Sequence, residues 1–316
     1  MKKISFTVTC LYITLVLGCG KEVKVTETAD LSSSNAGQST NPQIEKKSTK
    51  EIHFVEKLVQ CAASYEASAI SFKLIFKDPN MKEVKLAENL SLNYSEAAKF
   101  YARINNIDNA KINKEYIEYL REYRENKSAM PDCHEYYMNN TSDIDEIFIL
   151  SKNDKLGKLE KKYKYPNNDS FNKDDLSKIT EAATQCMGLT LALGPEYKRR
   201  DLQSEYQDNN KIFNFFAQIS SYSKIIADSL VSPGIEYYSL EQIIRGSYSI
   251  RRKAEKYALR YQNGAQDFVL DIHGSTGDEL SKKFNECIGF MKSNEVSKLS
   301  SLMNSDQTTP DGFNPN

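Results

Sequence analysis

The sequence has no tryptophan and only three histidines, His53, His134 and His273. None stands in His-Glu-x-x-His or at helical spacing from another, so the mark of a helix-borne zinc site is missing. Gly-x-Ser-x-Gly and the glycine-rich phosphate loops are missing too, which removes the common signatures of serine hydrolases and nucleotide-binding domains. No Cys-x-x-Cys occurs, and zinc clusters usually draw ligand pairs from such close spacing. Past the N-terminal segment no apolar run approaches the roughly 18 residues of a membrane-spanning helix, so the body is expected to be soluble. Lysine plus arginine, 42, almost balance aspartate plus glutamate, 43. Read as evenly spread, that balance argues against a nucleic-acid partner, which would call for Lys and Arg on one face.

What is present starts at the N-terminus. Met1-Lys2-Lys3 is a short basic segment and Ile4 to Leu17 an apolar run too short to span a bilayer, which together predict a secretory signal. The run closes in Val16-Leu17-Gly18-Cys19. That tetrapeptide resembles the bacterial lipobox, and the resemblance covers the first 19 residues. It implies a diacylglyceryl thioether and a fatty acyl chain on Cys19, with no other cofactor expected and no metal. At about 0.8 kcal/mol per buried methylene, two or three acyl chains hold a protein on a membrane essentially permanently. Gly20 replaces the Asp that resembles an inner-membrane retention signal. The localisation implied is a bacterial cell envelope, outer membrane rather than inner, with the body in the periplasm or at the surface.

One pattern is written twice. Gln60-Cys61, Ala98-Lys99-Phe100-Tyr101-Ala102 and Asp132-Cys133 are matched in order by Gln185-Cys186, Ala254-Glu255-Lys256-Tyr257-Ala258 and Glu286-Cys287. From tyrosine to closing cysteine the copies span 32 and 30 residues; from opening cysteine to tyrosine they span 40 and 71. The second copy therefore carries an insertion of about one helical hairpin. Cys10 leaves with the signal and Cys19 takes the lipid, so four cysteines remain in an oxidising compartment, and four allow three pairings. If the unit is a true repeat, Cys61 joins Cys133 and Cys186 joins Cys287, each bridge tying the first helix of a unit to its last. A metal site and free thiols are the alternatives.

Helical spacing dominates the rest. Phe54, Leu58, Cys61, Tyr65 and Ala69 recur at steps of three and four, as do Leu176, Ile179, Ala183, Cys186, Thr190 and Leu193. The strongest stripe, Ile212, Phe215, Phe216, Ile219, Tyr222, Ile226 and Leu230, falls in the insertion. Leu240 to Tyr261 predicts a helix capped by Asn263-Gly264, and Leu280 to Met291 a last core helix that continues through Leu299 and Leu302. Asp78-Pro79, Met130-Pro131, Tyr165 to Asp169, Gly194-Pro195 and Ser232-Pro233-Gly234 are breakers. Only Asp267 to Ile272 suggests a strand. The expected fold is all-α, a disulfide-stapled helical bundle, in two related helical units where the repeat holds. The expected organisation is a lipoprotein signal peptide at 1–18, lipidated cysteine and flexible tether at 19–50, and a first helical unit at 51–140. A connector at 141–172, a second unit with inserted helices at 173–304 and a disordered tail at 305–316 follow.

Candidate chemistry is thin. Asp271-Ile272-His273-Gly274-Ser275 places an acid, an imidazole and a hydroxyl on one loop, but Thr276 with Glu279 is a capping box for the helix that follows. Asp143, Asp145 and Glu146 resemble the acidic first turn of a helix more than a calcium loop. Lys198-Arg199-Arg200 and Arg251-Arg252-Lys253 are short basic runs of the kind that solvate a helix face. Tyr116, Tyr119 and Tyr123 share a helical face within the densest group of the 19 tyrosines. The binding surface expected is Tyr116, Tyr119 and Tyr123 with Arg251, Arg252 and Lys253, since tyrosine and arginine are enriched at protein interfaces. The function expected is a membrane-anchored, non-catalytic module that binds another envelope or secreted protein, a class that includes toxin-neutralising immunity proteins. A structural or assembly factor of an outer-membrane or secretion complex is the alternative. An enzyme is the third class, and its carboxylates and histidines would have to converge in space.

Overall fold

The computed structural model describes residues 42–166, 168, 170–231, 234–270 and 275–305. The segment expected as a signal peptide, Cys19 and residues 306–316, expected as a tail, lie outside these residues. Among the described residues the chain is all-α apart from two three-residue strands, and it divides into two compact units between Asn139 and Asn140.

The first unit holds α1 (Pro42–Phe76), α2 (Lys82–Ile104), α3 (Asn109–Glu125) and the short α4 (Cys133–Asn139). α1 and α2 form an antiparallel hairpin in which Phe54 meets Tyr101, Tyr65 meets Tyr94 and Lys73 meets Glu88. Many of their buried residues are small, Ala62 and Ala69 on α1 and Ala87, Ala97, Ala98 and Ala102 on α2, while Ala63 and Ala67 of α1 pack against α3. Small side chains let two helix axes approach closely and gain dispersion along their length. The hairpin turns where Lys77 takes φ 55° and the Asp78 carboxylate accepts from the Asn80 amide at 2.8 Å. Asp108 caps α3 by accepting from the Ala110 amide.

The second unit runs α5 (Thr141–Lys155), β1 (Lys162–Lys164), α6 (Lys173–Arg199), α7 (Gln203–Val231), β2 (Tyr237–Ser239), α8 (Leu240–Val269), α9 (Ser275–Met291) and α10 (Asn294–Ser305). α6 is its axis and packs along both α7 and α8. The core joins Leu176, Ile179, Met187 and Leu193 of α6 to Phe216, Ile219 and Ile226 of α7 and to Ile250 and Ala254 of α8. β1 and β2 pair antiparallel with Tyr163 opposite Tyr238. α6 is capped by Asn172, and α8 by a capping box of Ser239 and Gln242.

Both bridges are present. Cys61 of α1 joins Cys133 of α4 with Cα atoms 5.5 Å apart, and Cys186 of α6 joins Cys287 of α9 at 5.6 Å. In each unit the opening-cysteine helix packs against the helix carrying Ala-x-x-Tyr-Ala: α1 on α2, and α6 on α8. The insertion is α7. Past the tyrosine the units differ, because α3 intervenes in the first whereas α8 itself continues in the second.

Several expectations are corrected. α1 starts at Pro42, inside the stretch expected as tether, because Glu45, Lys46 and Lys47 are good helix formers and a packed helix propagates cheaply from its nucleus. The expected connector at 141–172 forms α5 and β1, which pack on α8 and β2 within the second unit. Gly194-Pro195 does not break α6; the Asn209 side chain donates to the Thr190 carbonyl at 2.8 Å, beside the turn where proline withholds its amide. Asn263-Gly264 does not end α8, since Gly264 and Ala265 are buried and Phe268 continues the stripe onto Phe284. Burial of that face outweighs the roughly 1 kcal/mol cost of a helical glycine. Asp267 to Val269 is therefore the last turn of α8 and not a strand; residues 271 and 272 lie outside the described residues. The last core helix divides at Lys292-Ser293, where the Ser293 hydroxyl accepts from the Val296 amide, so that α10 packs on α7.

Candidate functional site

The second unit carries a groove of about 500 Å³ where the C-terminal end of α7, β2 and the first turns of α8 meet. Its floor is aromatic: Tyr238 is buried against the rings of Tyr163 and Tyr165, with centroids 5.9 and 4.9 Å away. Ile225 and Ile243 line it from the two helices. Val231 and Ile235, each 55 % exposed, stand on one wall. On the other, Gly246 leaves open space bounded by the Lys224 side chain. The cations and acids near the rim are paired along their own helices, Lys224 with Asp228 at 3.0 Å and Arg245 with Glu241 at 2.8 Å. The groove is thus apolar inside with neutralised polar edges.

Beside it, α5 is clamped to α8 by charge. Glu146, its side chain 8 % exposed, takes Arg252 at 2.6 Å and Arg245 at 3.4 Å. Asp143 reaches Arg252 at 3.0 Å, and Asp145 reaches Arg251 at 3.3 Å. Ser142 donates to the Glu255 carboxylate at 2.5 Å. A second cluster ties α8 to α6, in which Lys253 and Tyr257 both donate to the Glu181 carboxylate. Burial works to raise the Glu181 pKa, but the hydrogen bonds from Lys253, Tyr257 and Gln185 prevail and hold it below the usual carboxylate range.

The candidate residues fall as follows. Arg251, Arg252 and Lys253, expected on a free recognition surface, are all engaged in ion pairs within the second unit. Asp143, Asp145 and Glu146, expected as dipole-favoured acids, are the partners of Arg251 and Arg252, and Glu181 is the partner of Lys253. Tyr123, expected on the same recognition surface, is 3 % exposed and packs with Ala63 and Ala67. Tyr119 stacks on it at 5.9 Å, and the half-buried Tyr116 is hydrogen-bonded to Ser91, so the tyrosine face of α3 is turned into the first unit. Burial, with Glu122 and Tyr119 nearby, pushes the Tyr123 hydroxyl up to about 12. His53 lies on the exposed side of α1, 3.9 Å from Glu56. His134 follows Cys133 in α4. Asp271 and His273 lie outside the described residues, and Ser275 opens α9 one residue ahead of Thr276, the cap expected from the sequence. Arg199 pairs with Glu196 at 2.6 Å.

Two features were missed. The groove is assembled from segment ends with no shared spacing, so only an exposed Val-x-x-x-Ile around a turn hinted at it. The charge is also uneven: residues 152–164 hold six lysines against Asp154 and Glu160, in a chain of net charge −1. Comparison of the chain with models of known protein families, with curated proteins and with solved structures finds no match in any of the three.

Proposed function

We propose that the chain is a lipid-anchored protein of a bacterial envelope whose body binds another envelope or secreted protein without catalysing a reaction, and that the groove of the second unit is the contact. The observation that carries the reading is the groove's make-up: exposed Val231 and Ile235 over an aromatic floor, ringed by charges already neutralised. An apolar centre inside a polar rim is the anatomy of a protein interface, where a few desolvated side chains supply most of the affinity. The lipobox-like Val16-Leu17-Gly18-Cys19 supports the anchored half of the reading. The groove takes the place of the arginine run and the tyrosine face, because those side chains are engaged within their own units.

The test is affinity capture from detergent-solubilised envelope, with wild type beside Val231→Asp/Ile235→Asp. One partner retained in simple stoichiometry by wild type and lost by a folded double variant is the expected result. Recovery of a whole multi-subunit machine would favour the assembly-factor reading. Equal recovery by both proteins would remove the groove from consideration.

A further inference from the structure

The lysine-rich segment after α5 is gathered by the fold into one exposed basic ribbon. Lys152 and Lys155 end α5, the chain reverses at Gly157 with φ 64°, and Lys158, Lys161, Lys162 and Lys164 follow through β1. All six lysines are exposed. Lys158, Lys161 and Lys162 make no ion pair among the described residues, unlike Arg245, Arg251 and Arg252 of α8. Leu156, 55 % exposed, stands at the reversal between Lys155 and Lys158. Across the two-stranded ribbon, Lys164 is paired in register with Tyr237, itself exposed. The Lys161 ammonium lies over the Tyr163 ring, 5.2 Å from its centroid, and the residue as a whole stays exposed.

We propose that this ribbon docks the second unit on an anionic phospholipid surface. The composition favours lipid over a folded partner. The cations are all lysine, a hydrated point charge that attracts headgroups without fixed geometry, whereas protein interfaces are enriched in arginine and depleted in lysine. An exposed leucine and a tyrosine beside the cations suit the boundary between headgroups and acyl chains. Lysine on a short edge strand also blunts strand-to-strand aggregation, but that protection needs neither the lysines of α5 nor an exposed leucine at the turn. The inference deepens the anchored reading: an acyl anchor confines the body near a bilayer, and a basic patch then fixes which face meets it.

The test uses the chain from Gly20 onward, which keeps every described residue but carries no lipid, so a failure of the anchor reading does not touch it. Co-sedimentation is measured with vesicles of phosphatidylcholine alone and with phosphatidylglycerol added. Binding is expected only to the anionic vesicles, and to weaken on the order of 100-fold in Lys158→Gln/Lys161→Gln/Lys162→Gln, since each lysine near a charged membrane contributes about a factor of five. Lys282→Gln/Lys292→Gln/Lys298→Gln, three exposed lysines elsewhere, is expected to bind as wild type does. Circular dichroism confirms that each variant is folded. Equal binding to both vesicle types, equal loss in both triple variants, or capture of an acidic protein through the same lysines without vesicle binding would each overturn the proposal.

Discussion

Gly188 of α6 lies directly beneath Tyr257 of α8: a Cβ built on the glycine would sit 2.4 Å from the Tyr257 Cβ and 2.7 Å from the Ala254 carbonyl. The Ala-x-x-Tyr-Ala motif is therefore a seat on which the cysteine-bearing helix rests, two residues past Cys186. The tyrosine ring projects outward from that seat to Glu181. Helix propensity alone would make Gly188→Ala stabilising by about 1 kcal/mol. Because backbone and not a flexible side-chain end meets the new methyl, the helices must separate instead. Gly188→Ala is expected to lower stability by about 1 to 3 kcal/mol in urea unfolding followed by circular dichroism. A gain would show that α6 and α8 lie farther apart.

The bridges close loops with sequence separations of 72 and 101 residues. On the chain-entropy model each contributes roughly 4 to 5 kcal/mol. Non-reducing peptide mapping is expected to recover Cys61 with Cys133 and Cys186 with Cys287. Cys61→Ser/Cys133→Ser and Cys186→Ser/Cys287→Ser should each unfold at lower urea than wild type, and a Cys61 to Cys186 peptide would refute the arrangement.

Anchoring is tested separately. Wild-type protein grown with a radioactive fatty acid is expected to take up label, and Cys19→Ala to lose it and leave the membrane or persist as precursor, because the apolar segment holds no other cysteine so placed. An unlabelled wild type would sink the lipoprotein reading.

The helical stripes were legible in the sequence because burial enforces a period of 3.6, and Cys186 could be placed on the inner face of its helix on that ground alone. The pairing was legible only through the repeated motif. Glu146 and Arg252 could not be matched, since 106 residues separate them and an ion pair leaves no local spacing. Gly264 misled for a different reason: its αL preference acts locally, whereas the Phe268 contact that overrides it is tertiary. The basic ribbon escaped because its lysines have no common period; a reversal at Gly157 brings them to one place.

The clamp between α5 and α8 is expected to behave as a unit. Glu146→Ala leaves Arg252 and Arg245 without their shared partner and should cost about 1 to 3 kcal/mol, more than the 0 to 1 of an exposed pair, because the carboxylate is buried. Arg252→Ala should cost less once Glu146 is already alanine. A double-mutant cycle showing at least about 0.5 kcal/mol of coupling is the expected result. Strict additivity would mean that α5 is held by its apolar face alone.

Alkaline pH should act on the first unit through Tyr123. Burial, with Glu122 and Tyr119 nearby, pushes its hydroxyl up to about 12 from the ordinary tyrosine value of 10.0. A group whose folded pKa lies above its unfolded one contributes stability that is fully present below the unfolded pKa and lost as pH rises through the folded one. The loss therefore falls between about pH 10 and pH 12, as the unfolded state releases the proton first. Tyr123→Phe keeps the ring against Ala63 and Ala67 but cannot titrate, so it should be close to wild type at neutral pH and lose less stability across that window. Urea unfolding by circular dichroism at neutral pH and at steps through the window measures the difference. Parallel declines in both proteins would mean that Tyr123 is solvated and that the tyrosine face of α3 is open to a partner after all.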